Sequence, residues 1–283
     1  MELWYTEKHT KDAGLTLRVR ETLKVWVSEY QTIELLDTFE YGRVLLLDGL
    51  VMCTERDEFI YHELLAHPAM FAHPSPKAVL VIGGGDGGAV REILKHPEVE
   101  EVVLCEIDNA VVETAREFLP TMSSAMFSDA RASIVIEDGI AYLKRNKERF
   151  DIIIVDSTDP VGPAKGLFES RFYSLCLNGL KPGGMLAAQT ESPFYHLDFI
   201  KRVKANLQQA DFDTVSFYCA PVPTYPSGMW SWGLAGYKID PLADFSLETA
   251  KKRSSIMDLK YYTPEMHSGL FCLPKFFQDA LDQ

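Results

Sequence analysis

The stretch from Ala78 to Gly88 constrains this chain more than any other. Five apolar residues, Ala78-Val79-Leu80-Val81-Ile82, run into Gly83-Gly84-Gly85-Asp86-Gly87-Gly88, and a helical pattern opens over Ala89 to Lys95. The order reads as a buried parallel strand, a tight turn and a helix start. Glycines there let the backbone turn sharply and approach a ligand, while the helix N-terminus offers unpaired N–H groups and partial positive charge. A nucleotide-like ligand is the natural guest.

The next apolar run, Val102-Val103-Leu104-Cys105, ends in Glu106-Ile107-Asp108. Glu106 falls about 20 residues past the glycines, where a Rossmann-like unit places the acid that holds a ribose diol; the competing reading is that Glu106 and Asp108 cap the helix of Ala110 to Phe118. Further strands follow at Ala132–Ile136 and Asp151–Val155, ending in Glu137-Asp138-Gly139, with a helix over Ile140 to Lys144, and in Asp156-Ser157-Thr158-Asp159-Pro160. In an open α/β sheet ligands bind outside the carboxyl ends of the strands, so Asp86, Glu106, Asp138 and Asp156 are expected to converge. Close like charges raise each other's pKa unless a cation is present, so that rim calls for a cationic guest. An S-adenosyl ligand fits, with adenine near Asp138, ribose on Glu106 and sulfonium near the glycines. At about 4 Å two like charges repel by several kcal/mol at an effective dielectric near 20. Asp86 therefore prefers a donor with an amine and no carboxylate, decarboxylated S-adenosylmethionine.

Before the glycine turn, Leu15–Val19, Gln31–Leu35 and Arg43–Leu47, the turn Asp48-Gly49 and Leu50-Val51-Met52 read as a small antiparallel β domain, residues 1–54, with hairpins too thin to bury much by themselves. They are expected to pack on the larger domain, residues 55–283, or on a second subunit. Glu55 to Phe71 reads as a linking helix ended by His73-Pro74-Ser75-Pro76, with His62 as a polar residue at its border. Later come helices over Glu169–Asn178 and Leu197–Gln208, the turn Lys181-Pro182-Gly183-Gly184, a strand over Met185–Gln189 and apolar segments around Val215–Tyr218 and Trp230–Leu234. Pro221 to Gly228, between those segments, is too proline-rich for a central strand and reads as a wall of the site. The tail reads as helical.

A net charge of -13 argues against nucleic acid or anionic membrane as main partner, and no run reaches membrane-spanning length. Five scattered cysteines without a CxxC pair read as reduced core residues of a cytoplasmic protein, and seven histidines without zinc-ligand spacing predict no metal.

Asp156 and Asp159, followed by Pro160-Val161-Gly162-Pro163, form an acidic loop that reads as a clamp for a second cationic substrate, a diamine, or as caps of the next helix. Tyr61 and Tyr225 suit its methylene chain; Trp230 is more often core. Together, Gly83-Gly84-Gly85-Asp86-Gly87, Thr54-Glu55-Arg56-Asp57-Glu58-Phe59, Asp156-Ser157-Thr158-Asp159-Pro160 with Gly162-Pro163, and Pro223-Thr224-Tyr225-Pro226-Ser227-Gly228 resemble the spermidine synthase family of polyamine aminopropyltransferases. The resemblance runs from Trp4 to the terminal helix. It implies a Rossmann-like class I S-adenosylmethionine-dependent transferase fold behind the N-terminal β domain. It also implies transfer of a 3-aminopropyl group from decarboxylated S-adenosylmethionine to putrescine, giving spermidine and 5'-methylthioadenosine, with no metal or resident cofactor and in a homodimer or homotetramer. By the same resemblance Asp156 accepts the proton; Gln31, Gly83, Gly85, Glu106, Asp138, Gly139 and Pro163 hold the nucleoside; Tyr61, His62, Asp86, Asp156, Ser157, Thr158, Asp159, Gln189 and Tyr225 hold the polyamine. The segment Asp156 to Phe168 is expected to gate the site. Met52 and His62 stand where many or some members have glutamine, which bears on acceptor choice. The alternatives are a methyltransferase of the same fold, a non-catalytic polyamine-binding module and a nicotinamide dehydrogenase, the last disfavoured because Asp86 would face a pyrophosphate.

Overall fold

A computed structural model describes residues 2–158 and 162–282, without the side chains of Gly162 and Pro163. The first five strands, β1 (Leu3–Lys8), β2 (Gly14–Val27), β3 (Thr32–Thr38), β4 (Gly42–Leu47) and β5 (Leu50–Thr54), form one antiparallel sheet in chain order. Asp48 and Gly49 both take positive φ, 50° and 75°, the hairpin geometry whose twist matches the flanking strands. One face of the sheet buries Ile33, Leu35, Leu45, Leu47 and Cys53 against Val111, Leu119 and Met122 of the larger domain, as its thinness requires. The other face gathers Leu17, Val19, Leu36, Val44, Leu46 and Val51. β2 is much longer than the alternation at Leu15–Val19 suggests. Two register shifts against β3 break its pattern, and its far end leaves Val25, Trp26 and Val27 exposed.

α1 (Glu58–Ala72) begins three residues later than expected. Asp57 is engaged outside the helix, its Oδ1 accepting from Thr54 Oγ1 at 2.6 Å and its Oδ2 from the Thr224 N–H and hydroxyl at 3.0 and 2.8 Å. All of α1 except Phe59 is buried. It lies under the second sheet, not at a border.

That sheet is built from β6 (Ala78–Gly83), β7 (Glu101–Glu106), β8 (Ala132–Ile136), β9 (Phe150–Asp156), β10 (Leu180–Gln189), β11 (Thr214–Pro221) and β12 (Met229–Gly236), in the order β11-β12-β10-β9-β6-β7-β8. The intervening helices are α2 (Gly88–Leu94), α3 (Asn109–Phe118), α4 (Pro120–Ser128), α5 (Gly139–Arg145), α6 (Ser170–Gly179) and α7 (Leu197–Gln209). The strands from β6 to β10 are parallel and β12 is antiparallel to both its neighbours. Both faces are covered, which explains the continuous apolar runs: Val79 and Val81 enter one core with α1 and α2, Leu80 and Ile82 the other with α6 and α7. Strand order reverses at β6, flanked by β7 on one side and β9 on the other. The carboxyl ends of β6 and β9 therefore open the crevice in which such sheets bind ligands. This is the Rossmann-like α/β architecture with an N-terminal antiparallel β domain that the residues implied.

The tail is helical as expected, though in short pieces: α8 (Leu247–Ser254), a 3-10 helix (Pro264–Met266), α9 (His267–Leu270) and α10 (Lys275–Leu281), with Pro264 and Pro274 each standing where a new piece begins. A buried carboxylate ties this segment down: Glu63 of α1 accepts the backbone N–H groups of Lys260, Tyr261 and Tyr262 at 2.7, 2.9 and 2.8 Å. Glu63→Ala strands one buried and two half-buried backbone donors, and at about 1–3 kcal/mol for a buried one urea unfolding is expected to show a loss of about 2–3 kcal/mol. Glu63→Gln, which keeps an acceptor oxygen, loses less; an alanine variant within ~1 kcal/mol of the parent contradicts this anchor.

Candidate active site

Gly83 and Asp156 face each other in register across the ends of β6 and β9. Gly83 has φ 78°, and a Cβ on it would lie 2.2 Å from the Asp156 carbonyl oxygen; a Cβ on Gly84 would lie 2.7 Å from Asp156 Oδ2. Side chains at these two positions would push Asp156 out of the crevice. The glycines exist for the aspartate as much as for a ligand.

Asp156 Oδ1 accepts the Tyr61 hydroxyl at 2.7 Å, while its buried Oδ2 has no hydrogen-bond partner among the described residues. Burial, helped by the Asp86 charge and opposed by His62 and the Tyr61 hydroxyl, pushes its carboxyl up to about 6. Asp86 takes the opposite course. Its Oδ1 accepts the Gly88 N–H at 2.7 Å and lies 3.3 Å from His62 Nε2. Burial opposes its charge, yet His62, the Gly88 N–H and Arg91 outweigh burial and hold the carboxyl below the usual carboxylate range. His62 itself is buried, with Nδ1 2.7 Å from Glu58 Oε2. Burial disfavours its charge, but Asp86 and Glu58 together raise its pKa well above the ordinary imidazole value. The placement of His62 at a helix border is thus corrected: its ring is 1% exposed and sits between two carboxylates. A nitrogen of His62 and one oxygen each of Asp86 and Asp156 lie within 4.8 Å of one another.

On the other side of the glycine turn, Glu106 Oε1 accepts the Asp108 N–H at 2.9 Å. Burial raises its carboxyl to about 7, the Asp108 charge adding to the effect and backbone N–H groups opposing it. Asp108 does cap α3 through the Ala110 N–H, and its second oxygen accepts Ser28 Oγ at 2.6 Å and the Gln31 amide at 3.0 Å. Gln31 thereby fastens the N-terminal sheet to the rim. Asp138 caps α5, its Oδ1 accepting from Ile140 and Ala141.

One cleft brings together Gln31, Tyr61, Gly83, Gly85, Asp86, Glu106, Asp138, Gly139, Asp156, Ser157, Thr158 and Tyr225, so the four strand-end acids do converge. Gln189 lies in an adjoining recess with Tyr225 and Trp230, its amide donating to the Ser157 carbonyl at 3.3 Å. The rings of Tyr61 and Tyr225 are 5.4 Å apart, and the Tyr225 hydroxyl donates to the Met52 carbonyl. Trp230 is buried in the core and also walls that recess. Asp159 lies outside the described residues, as does the side chain of Pro163; of the expected gate, Gly162–Phe168 forms a 3-10 helix. Sequence reasoning missed Glu58 and Arg91, which hold His62 from behind. The i, i+4 spacing of Glu58 and His62 on a predicted helix was the available signal.

Two family models match the chain: a spermidine synthase tetramerisation domain over residues 3–55 and a spermine/spermidine synthase domain over residues 58–246. The polyamine aminopropyltransferase of Caldicellulosiruptor bescii is 49% identical over 281 residues, covering 99% of each chain, and that of Bacillus subtilis is 42% identical over 280 residues, again covering 99% of each. Among solved structures, a spermidine synthase in complex with the transition-state analogue AdoDATO superposes with a TM-score of 0.95 at 44% identity, covering 99% of this chain and 95% of that one. The Thermotoga maritima spermidine synthase gives 0.93 at 43%, covering 99% and 94%. The architecture, the acid-rimmed cleft and the full-length likeness agree, and the chain belongs to the spermidine synthase family of polyamine aminopropyltransferases.

Proposed function

We propose that this aminopropyltransferase uses decarboxylated S-adenosylmethionine as donor and putrescine as acceptor, releasing spermidine and 5'-methylthioadenosine, with Asp156 as the proton acceptor. The observation that carries the reading is the pair of states at Asp156: one oxygen is fixed by Tyr61 and the other is buried, without a partner among the described residues, on a side chain that lines the cleft. The acceptor nitrogen attacks the carbon beside the sulfonium, the carbon–sulfur bond breaks with its electron pair passing to sulfur, and the nitrogen's surplus proton goes to Asp156. Proximity and alignment of the two substrates supply most of the acceleration. A carboxyl raised to about 6 is ionised at neutral pH and a better base than an ordinary aspartate.

In this assignment Glu106 binds the ribose, Asp138 and Gly139 the adenine, and Gly83, Gly85, Gln31 and Pro163 complete the nucleoside side. Asp86, held ionised by His62, faces the amine of the donor tail, and Tyr61, Ser157, Thr158, Asp159, Gln189 and Tyr225 surround the diamine. The relative crystallised with AdoDATO supports a cleft that holds both halves of the reaction. Residues 1–54 are assigned to assembly and 55–283 to catalysis, in a homodimer or homotetramer. Leu3, Trp4, Val25, Trp26 and Val27 of the N-terminal sheet supply exposed apolar surface for that purpose. The free thiols of Cys53, Cys105 and Cys176, all buried, suit a cytoplasmic protein.

Asp156→Asn is expected to lower kcat by about 10²–10⁴ with little change in donor affinity. In the parent, kcat/KM for putrescine is expected to bend downward below about pH 6, because the acid form of a carboxyl with a raised pKa cannot accept a proton and predominates below that pKa. Near-parental turnover in the asparagine variant, or a flat profile down to pH 5, contradicts the assignment. Asp86→Asn removes the charge that disfavours a donor carboxylate. The ratio of affinities for the decarboxylated and carboxylated donors, read from inhibition constants, is expected to narrow at least tenfold, about 1.4 kcal/mol. An unchanged ratio contradicts the selectivity argument.

A further inference from the structure

Behind the amine side of the cleft runs a chain of buried charge that the reaction itself does not use. Glu58, in the first turn of α1, sits four residues before His62 and accepts its Nδ1 at 2.7 Å. Arg91 of α2 grips both oxygens of that carboxylate, Nη1 to Oε1 at 2.9 Å and Nη2 to Oε2 at 2.8 Å, a fork that fixes its plane as well as its place. Arg91 is fixed in turn by Glu92 Oε1 at 2.8 Å and the Thr121 carbonyl at 3.2 Å. Glu58 and His62 are both buried, and a Cβ on Gly88 would lie 2.2–2.5 Å from the His62 ring atoms, so the ring fits only because that residue is glycine.

With Nδ1 hydrogen-bonded to Glu58 and Nε2 in ion-pair contact with Asp86 at 3.3 Å, both ring nitrogens face carboxylates, an arrangement that favours a proton on each. Among the described residues, the charged groups around the ring are Glu58 from its own helix, Asp86 from the glycine turn, Arg91 from α2 and Asp156 from β9. The nearby Cys53 thiol is neutral, its pKa pushed up by burial and by these carboxylates. If His62 loses its charge, Asp86 and Asp156 become two neighbouring, partly buried carboxylates without a cation in contact, Arg91 acting on Asp86 only from a distance, and such a pair takes up a shared proton. The site then meets an incoming ammonium with one anion fewer.

We propose that Glu58 is a positioning residue for the amine side of the reaction: clamped by Arg91, it orients the His62 ring with Nε2–H on Asp86 and so keeps Asp86 available as an anion. The proposal rests on the assignment of His62 and Asp86 to the amine side. Glu58 touches neither substrate and acts through His62. Its ion pair with Arg91 also joins α1 to α2, so the test must separate positioning from packing.

The experiment is a double-mutant cycle on the full-length enzyme with Glu58→Gln, His62→Gln and the pair, reading putrescine KM, donor KM, kcat and thermal midpoint together. Glu58→Gln is expected to raise the KM of both cationic substrates tenfold or more, that of putrescine and that of the donor whose amine Asp86 faces, with Glu58→Asp recovering part of the loss. In the His62→Gln background the same change is expected to alter putrescine KM by less than twofold, since the residue it acts through is gone. Imidazole ¹⁵N NMR is expected to show the doubly protonated ring of the parent become singly protonated at neutral pH in Glu58→Gln. Effects that multiply across the cycle, or a lowered thermal midpoint with unchanged putrescine KM, overturn the proposal in favour of a packing role. If Glu58→Gln does not fold, Arg91→Lys, which removes the fork but keeps the charge, takes its place: a raised putrescine KM abolished in the His62→Gln background supports the proposal, and no change in KM overturns it. Should His62→Gln leave putrescine KM unaltered in an active enzyme, the amine-side assignment fails; should it raise KM while Glu58→Gln does not, only the positioning role fails.

Discussion

Two neighbouring, partly buried carboxylates at the mouth of one crevice cannot remain equally ionised, and the way the molecule resolves that conflict organises everything around it. Asp86 receives a fixed cation, His62, and a backbone N–H from Gly88. Among the described residues, Asp156 receives only the Tyr61 hydroxyl. The first is therefore held as an anion across the neutral range, and the second sits near the edge of titration. Pushing such a pair apart in pKa leaves one site with a fixed anion and a carboxyl near titration, both from the same side-chain type.

The fold makes this separation possible through very local geometry. Gly83 and Gly84 keep the backbone bare where β6 meets the end of β9, Gly88 leaves a hole for an imidazole, and α1 runs buried beneath the sheet to deliver Tyr61 and His62 from consecutive positions. The four acids at the strand ends share a rim but not a duty. Asp138 spends Oδ1 on the N-terminus of α5; Glu106 is braced by the N–H of Asp108, and Asp108 is occupied by α3 and by the N-terminal sheet. The small β domain thus reaches the rim of the cleft directly, through Ser28 and Gln31, as well as presenting an exposed apolar surface.

Features fixed by a residue's own backbone were legible in the sequence. The glycine turn, the Asp48-Gly49 hairpin, the caps at Asp108 and the strand-end acids each follow from local conformational demands, and the sheet assembled as those signals required. Features fixed by a partner far along the chain were not. His62 reads as a border residue because nothing in its neighbourhood shows Asp86 and Gly88 arriving from another element. Glu58 and Arg91, 33 positions apart, pass for surface charges until α1 and α2 pack. The length of β2 was hidden for a different reason, since its bulges break the alternation by which strands are read. In the tail, Glu63 holds three N–H groups nearly 200 residues away, a contact no periodicity predicts.

The unequal ionisation of Asp86 and Asp156 can be observed without turnover. In enzyme labelled with [4-¹³C]aspartate, with the two resonances assigned through Asp156→Asn and Asp86→Asn, the Asp156 carboxyl is predicted to titrate near pH 6 while Asp86 titrates below the usual aspartate range. Two carboxyls titrating together at ordinary aspartate values, or Asp86 taking up its proton first, would contradict the account.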